Sequence, residues 1–223
     1  FSASVGGTHG PSGKTYLISQ RLDITKDGTG LVSDGTATLL MSSAAGGFDN
    51  IDASAAARYQ SNAVGVLAVG VDSPIVEGIH FIYQDRVDGR YVRPMAFRDC
   101  DNITVRDNEI SHFTKSFNLI HIDDCHGGAI SSNYIHDCST DADGAAQITG
   151  IGTDIDSGQF GASGRGSSYL VIEHNRIADL AVGENFYAKY GYQTDGINIG
   201  FQTSHFTLRH NDISDVGEGL DMF

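Results

Sequence analysis

The sequence predicts an all-β fold, a single-stranded right-handed parallel β-helix (a solenoid) with inserted loops. Two observations lead to this prediction: turn-forming residues recur along the whole chain, and one strand-and-turn unit repeats within it. Glycine is frequent at 28 residues and proline is scarce at 3, so turns are distributed along the chain and not confined to linkers. This pattern favours many short strands over a few long helices.

Four segments carry the repeat, at residues 95–113, 120–138, 169–180 and 197–216. Each contains a short strand in which apolar and polar residues alternate, then one or two polar residues, and then Asn and Ile two positions apart. The recurring residues are Asn108, Asn133, Asn175 and Asn211, with Ile110, Ile135, Ile177 and Ile213. A coil with an apolar inner side cannot bury it alone, so coils must stack. We expect the asparagines of stacked coils to hydrogen-bond to one another and to accommodate the left-handed backbone of the bend.

The asparagines are 25, 42 and 36 residues apart. About 25 residues suit one turn of a three-strand coil, and the longer gaps indicate inserted loops. Residues 14–24, 28–41 and 66–83 fit the pattern more loosely, and residues 43–60 are predicted to be a surface loop with a short helical piece. We predict one domain over residues 1–223. The start at Phe1 and the end on an apolar run lead us to expect a piece of a longer protein.

The charge balance limits the partners of the chain. It has 28 acidic and 14 basic residues and a net charge of -14, whereas nucleic-acid binding needs clustered Lys and Arg. No nucleic-acid partner is expected. No segment approaches the roughly 20 apolar residues of a membrane span, so none is predicted.

Three cysteines, Cys100, Cys125 and Cys138, show no metal-binding spacing. We predict that they are buried thiols. Cys100 and Cys125 fall at matching places in neighbouring repeats, so a disulfide between these two stays open as an alternative.

The repeats and the opening GPSGKTYLIS, residues 10–19, resemble the pectate-lyase-like superfamily of right-handed parallel β-helices. The resemblance covers nearly the whole chain and implies the fold and a carbohydrate-related function. A second motif is YQTDGINI, residues 192–199, which resembles the Asn-Thr-Asp-Gly motif of polygalacturonase-type glycoside hydrolases, with Gln193 in the place of Asn. That resemblance places a catalytic carboxylate on Asp195.

The same hydrolases have paired aspartates about one coil later. The corresponding segment here is VGEGLDMF, in which Glu218 and Asp221 are the nearest counterparts. The resemblance therefore implies catalytic roles for Asp195, Glu218 and Asp221.

Strand alternation predicts which residues share the outer face. Ile197 and Ile199 should point inward and Asn198 outward. Aligning the matching strands gives an outward column of Ala96, His121, Asn198 and Asp221, flanked by Asn118, Asp195 and Glu218. Coils stacked at about 4.8 Å would bring Asp195, Glu218 and Asp221 within roughly 5–10 Å of one another. Glycoside hydrolysis uses such a pair of carboxylates, and His121 and Asn198 are predicted to contact the substrate.

A polar aromatic segment, residues 185–195, precedes the motif strand. Lys189, Tyr190 and Tyr192 are predicted to bind substrate, because aromatic rings pack well on sugar rings. Lys189 with a tyrosine is alternatively the base and acid of a polysaccharide lyase or uronan C5-epimerase.

No cofactor is required by these assignments, and no residue is assigned as a metal ligand. Residues 139–166 resemble a calcium loop in composition but lack its spacing, so calcium is an optional ligand. The aspartates concerned are Asp141, Asp143, Asp154 and Asp156. Four histidines fall in two consecutive coils without ligand spacing: His112, His121, His126 and His136.

Three functional hypotheses follow, each with a polysaccharide partner. The first is an extracellular or secreted glycoside hydrolase, and the second is a lyase or C5-epimerase. The third is a non-catalytic glycan-binding β-helix, such as an adhesin or a homotrimeric phage tailspike on the virion surface.

Overall fold

A computed structural model describes residues 13–18, 21–41, 63–83, 92–113, 116, 118–138, 148–153, 166–180, 194–200 and 202–222. Within these ranges the protein is all-β and contains no helix, and therefore none long and apolar enough to cross a membrane. The predicted loop at residues 43–60 lies outside them. The strands are β1 (Thr15–Ile18), β2 (Leu22–Ile24), β3 (Gly30–Met41), β4 (Ala63–Val69), β5 (Ile75–Tyr83), β6 (Val92–Arg98), β7 (Asp101–Arg106), β8 (Glu109–Ser111), β9 (Ile120–Asp123), β10 (His126–Ser131), β11 (Tyr134–His136), β12 (Ile148–Gly152), β13 (Ser168–Glu173), β14 (Arg176–Ala178), β15 (Thr194–Ile199), β16 (Thr207–Arg209), β17 (Asp212–Ser214) and β18 (Glu218–Met222).

The strands form two parallel sheets. The seven-stranded sheet, here called the first wall, has the order β18-β15-β12-β9-β6-β4-β2. In the eleven-stranded sheet, β5 pairs with β7 along its first half and with β8 along its second half. The rows that diverge from β5 are a second wall, β7-β10-β13-β16, and a third wall, β8-β11-β14-β17. From β6 onward the chain visits the three walls in turn, which is compatible with the predicted parallel β-helix.

The core consists of apolar columns that run from coil to coil. In the third wall Ile110, Ile135, Ile177 and Ile213 are register partners in sequence, as the repeat predicts. In the first wall Ile120, Ile151 and Ile197 are paired in the same way and are buried. Each coil thus buries its inner face against the next, which is where most of the stabilising apolar area lies.

The predicted asparagine ladder is confirmed. Asn133 Nδ2 donates to Val105 O at 3.0 Å and to Asn175 Oδ1 at 2.9 Å. Asn133 Oδ1 accepts from the backbone and side-chain nitrogens of Asn108 at 3.1 and 3.0 Å. Asn211 continues the pattern by accepting from Asn175 Nδ2 at 3.0 Å. The ladder satisfies backbone groups at the corner between the second and third walls.

The sequence predicted a left-handed backbone at the asparagines of this corner, and that prediction is wrong. The residue before each asparagine has this conformation instead. Asp107, Ser132, His174 and His210 have φ values of 57°, 56°, 55° and 56°. The asparagines face the interior, where their amides are needed for the ladder. The exposed preceding residue therefore takes the strained conformation.

The three cysteines are buried thiols, as predicted, and none of them forms a disulfide within the described residues. Cys100 and Cys125 lie in adjacent coils, and each thiol donates to the carbonyl two residues earlier, at 3.1 and 3.3 Å. The Cys125 side chain lowers the pKa of Cys100 to about 7, and burial raises that of Cys125.

Candidate active site

The outer face of the first wall carries a continuous column across five coils. Register pairs Ala96 with His121, His121 with Gly152, Gly152 with Asn198, and Asn198 with Asp221. The alignment of Ala96, His121, Asn198 and Asp221 predicted from the repeats is therefore the one the strands adopt. Gly152 is the additional member that the sequence alignment missed.

Three carboxylates converge beside this column. Asp195 in β15 is the register partner of Glu218 in β18, and Asp221 follows in the same strand. One carboxylate oxygen from each of Asp195, Glu218 and Asp221 lies within 4.8 Å of the other two. These residues, here called the carboxylate cluster, come from two adjacent coils although 22 residues lie between Asp195 and Glu218.

An irregularity in β15 turns Asp195 to the outer side. Strict alternation would put Asp195 and Asn198, three positions apart, on opposite sides of the sheet. A Cβ on Gly196 would lie 2.6 Å from Ile213 Cγ2, so Gly196 faces the core, and Ile197 is buried in the core as well. Two consecutive residues therefore face inward. As a result, Asp195 lies on the same side of the strand as Asn198, next to Glu218 and Asp221.

The environments of the three carboxylates differ. Asp195 is buried, and its Oδ2 accepts from Thr149 Oγ1 at 3.2 Å. Glu218 is exposed, and Asp221 is half-buried. Burial raises the pKa of Asp221 above its ordinary value, and the negative charge of Glu218 raises it further. The surroundings of Asp221 thus favour the protonated form of its carboxyl group, which is the form that donates a proton.

His121 and Asn118 form a buried polar pair near the middle of the column. Asn118 Nδ2 donates to His121 Nδ1 at 2.9 Å, which leaves the hydrogen of the neutral ring on Nε2. Burial lowers the pKa of His121 well below its usual range, and the positive charges of Arg93 and Arg98 lower it further, so the ring is neutral. His121 Nε2 and Asn198 Oδ1 are buried and have no hydrogen-bond partner among the described residues. A buried donor and a buried acceptor without partners fit a polar ligand.

Gly152 leaves room for the Asn118 amide. A Cβ on Gly152 would lie 2.1 Å from Asn118 Oδ1, so Gly152→Ala must displace the amide and break its bond to His121. We expect this variant to bind the polysaccharide partner predicted from the sequence about fivefold more weakly, since a hydrogen bond contributes roughly 1 kcal/mol. Isothermal titration measures the change. The control is Gly219→Ala in the same wall, where the nearest atom to a new Cβ is 4.0 Å away; equal affinities of the two variants would contradict the prediction.

Sequence reasoning missed a row of buried charged residues next to His121. Arg93, Arg98 and Asp123 are 2%, 7% and 0% exposed, and Arg98 Nε lies 4.0 Å from Asp123 Oδ2. Arg98 and Asp123 are register partners. The sequence could have revealed this pair, because the two charged residues occupy matching positions of two otherwise apolar strands. Buried charges are costly unless paired, which makes such matches informative.

The remaining predicted site residues lie outside the part of the chain that the structure describes. Lys189, Tyr190 and Tyr192 lie outside the described residues. The same holds for the loop aspartates, which are Asp141, Asp143, Asp154 and Asp156. Within the described part of the chain, the carboxylate cluster is the one group of three potential metal ligands whose donor atoms all lie within 4.8 Å of one another. Its all-oxygen donors suit a hard cation such as calcium.

No family model matches the chain, and no curated protein or solved structure matches it either. The resemblance to pectate-lyase-like proteins and to polygalacturonase-type hydrolases thus depends on the motifs quoted above. The parallel sheets are compatible with it at the level of architecture.

Proposed function

We propose that the protein is a glycoside hydrolase that cleaves a polysaccharide on the outer face of a right-handed parallel β-helix. The observation that supports it best is the carboxylate cluster, in which one oxygen of each side chain lies within 4.8 Å of the other two, beside the outer column of the first wall. Glycoside hydrolases use two carboxyl groups in different protonation states at one site. Right-handedness follows from the strong preference of parallel crossovers for that hand.

The proposed roles follow from the environments. Asp221 gives its proton to the glycosidic oxygen as the bond between that oxygen and the anomeric carbon breaks. Asp195, held by Thr149, accepts a proton from the water whose oxygen bonds to the anomeric carbon. Glu218 favours the protonated form of Asp221 through its negative charge. Both carboxyl groups are restored when protons exchange with solvent, and no cofactor is needed.

The column extends the site along the stack. His121 lies three coils from Asp221, a distance of roughly 14 Å at about 4.8 Å per coil. His121 Nε2 as donor and Asn198 Oδ1 as acceptor fit sugar hydroxyl groups, which both donate and accept. A polar strip longer than one sugar ring favours a polymeric substrate. Lys189, Tyr190 and Tyr192 are proposed further contacts, and such a substrate implies an extracellular location.

Digestion of a panel of purified polysaccharides tests this function, with Asp195→Asn as the matched inactive variant. We expect at least one glycan to gain reducing ends without ultraviolet absorbance, in the presence of a chelator as well as of calcium. Absorbing, unsaturated products would instead establish a lyase. Binding without cleavage would establish the glycan-binding alternative, and either result would overturn the proposal.

A further inference from the structure

The carboxylate cluster has a fourth oxygen donor beside it. Asp195 and Asn198 lie three positions apart in β15, and Glu218 and Asp221 lie three positions apart in β18. Asp195 pairs in register with Glu218, and Asn198 pairs with Asp221. The two inward residues between them place Asp195 and Asn198 on the same outer side of β15. The four side chains therefore occupy the corners of a quadrilateral on the outer face of two adjacent coils.

The fourth donor, Asn198 Oδ1, is buried and has no hydrogen-bond partner among the described residues. Asn198 is 4% exposed, although it lies on the outer face of the first wall. Leaving a buried amide oxygen without a partner costs free energy, so such an atom indicates a ligand. A sugar hydroxyl is one such ligand. A calcium ion is another, because amide and carboxylate oxygens are the ligands that calcium binds in proteins.

The spacing of the carboxylate oxygens fits one large cation. One oxygen from each of Asp195, Glu218 and Asp221 lies within 4.8 Å of the other two. Oxygens on opposite sides of a calcium ion that is bound at about 2.3–2.6 Å are roughly 4.6–5.2 Å apart, and neighbouring ligands are closer together. Small rotations of the side chains therefore suffice for all three oxygens to contact one ion.

Charge also favours a cation at this place. The cluster brings three carboxylates together, and like charges this close repel one another. The buried arginines of the first wall, Arg93 and Arg98, are in β6, which is three strands away from β15 and therefore at roughly 14 Å. Glu218 is exposed and Asp221 is half-buried, so an ion can reach the cluster from solvent. The net charge of -14 adds a long-range attraction for cations.

We propose that the carboxylate cluster and Asn198 bind one calcium ion, and that the bound ion inhibits the proposed hydrolase. A set of ligands made only of oxygen suits calcium better than zinc, which prefers nitrogen and sulfur. The inhibition rests on the proposed function. A bound ion holds Asp221 as the carboxylate, which has no proton to give to the glycosidic oxygen, and it occupies Asn198 Oδ1 in place of a sugar hydroxyl.

Isothermal titration of the full chain with CaCl₂, in the absence of glycan, tests the site. We expect one equivalent to bind with a Kd on the order of 10⁻⁴ to 10⁻³ M, the range of extracellular calcium modules. Glu218→Gln and Asp221→Asn should each weaken binding by about tenfold or more, because the number of charged ligands sets calcium affinity. Circular dichroism confirms that each variant is folded.

Substitutions of Asn198 distinguish a calcium ligand from a structural residue. Asn198→Asp adds a charged ligand and should tighten calcium binding, whereas Asn198→Leu, which is similar in size, should weaken it. Asp212→Asn changes an exposed aspartate on the third wall and should bind calcium normally. Absence of binding in the unsubstituted chain, equal affinities of the two Asn198 variants, or a comparable loss in Asp212→Asn would each overturn the proposal.

The rate of glycan cleavage gives a separate readout. Calcium at about ten times its Kd fills roughly nine tenths of the sites, so the initial rate should fall about tenfold, and excess chelator should restore it. An unchanged rate would overturn the inhibition. A chain that binds calcium but cleaves no glycan would refute the hydrolase and support the site, whereas cleavage without calcium binding would refute the site and support the hydrolase.

Discussion

Replacing Asp221 by Asn is expected to lower the rate of glycan cleavage by about 10²- to 10⁴-fold, the usual contribution of a general acid. The amide keeps the size of the side chain but cannot protonate a leaving oxygen. Asp195→Asn should cause a loss of the same order, because it removes the proposed proton acceptor. Steady-state assays of reducing ends measure both effects, and KM should change much less than kcat.

A control separates loss of chemistry from loss of structure. Asp212→Asn changes an exposed aspartate on the third wall and should retain activity.

The stability of Asp221→Asn gives a second readout. The folded-state pKa of Asp221 is raised, so ionisation of its carboxyl group opposes folding, and the associated stability is lost as pH rises through that pKa. Asp221→Asn should therefore melt no lower than the unsubstituted protein at pH 7, and full activity in this variant would contradict the assigned role.

Replacing Asn133 by Ala is expected to destabilise the fold by about 3–5 kcal/mol. Asn133 is 1% exposed, and its side chain makes four hydrogen bonds within the ladder. Its loss removes the side-chain partner of the buried Asn108 N–H and of the Val105 carbonyl, whereas Asn175 Oδ1 keeps its bond from the backbone N–H of residue 133. Urea denaturation measures the free energy of unfolding.

Asn211→Ala is the matched control for the ladder. Asn211 is only partly buried and bonds to a ladder asparagine on one side, Asn175, so its replacement should cost clearly less. Equal costs for the two variants would show that the ladder is not the stabilising element that we describe.

Much of the fold could be predicted because each type of repeated residue has a single structural role. The asparagines bond from coil to coil and the isoleucines fill one column, so both recur at matching positions. The left-handed residue was assigned wrongly because several short polar residues tolerate that conformation, and only the ladder geometry shows which one is needed inside. Asp107 and Ser132 carry no common signature beyond polarity.

The candidate site was predictable in part. Alignment of the repeats identified the outward column, since register follows from stacking. The approach of Asp195 to Asp221 also depends on Gly196 facing inward, an irregularity that strict alternation does not predict.

The crowding of carboxylates from adjacent coils has a direct spectroscopic consequence. Carbon-13 NMR of labelled aspartate carboxyl groups gives the pKa of Asp221, which should lie above the ordinary value of 3.8 and should fall when Glu218 is replaced by Gln. An ordinary pKa for Asp221 that does not respond to Glu218→Gln would show that these side chains do not share one site.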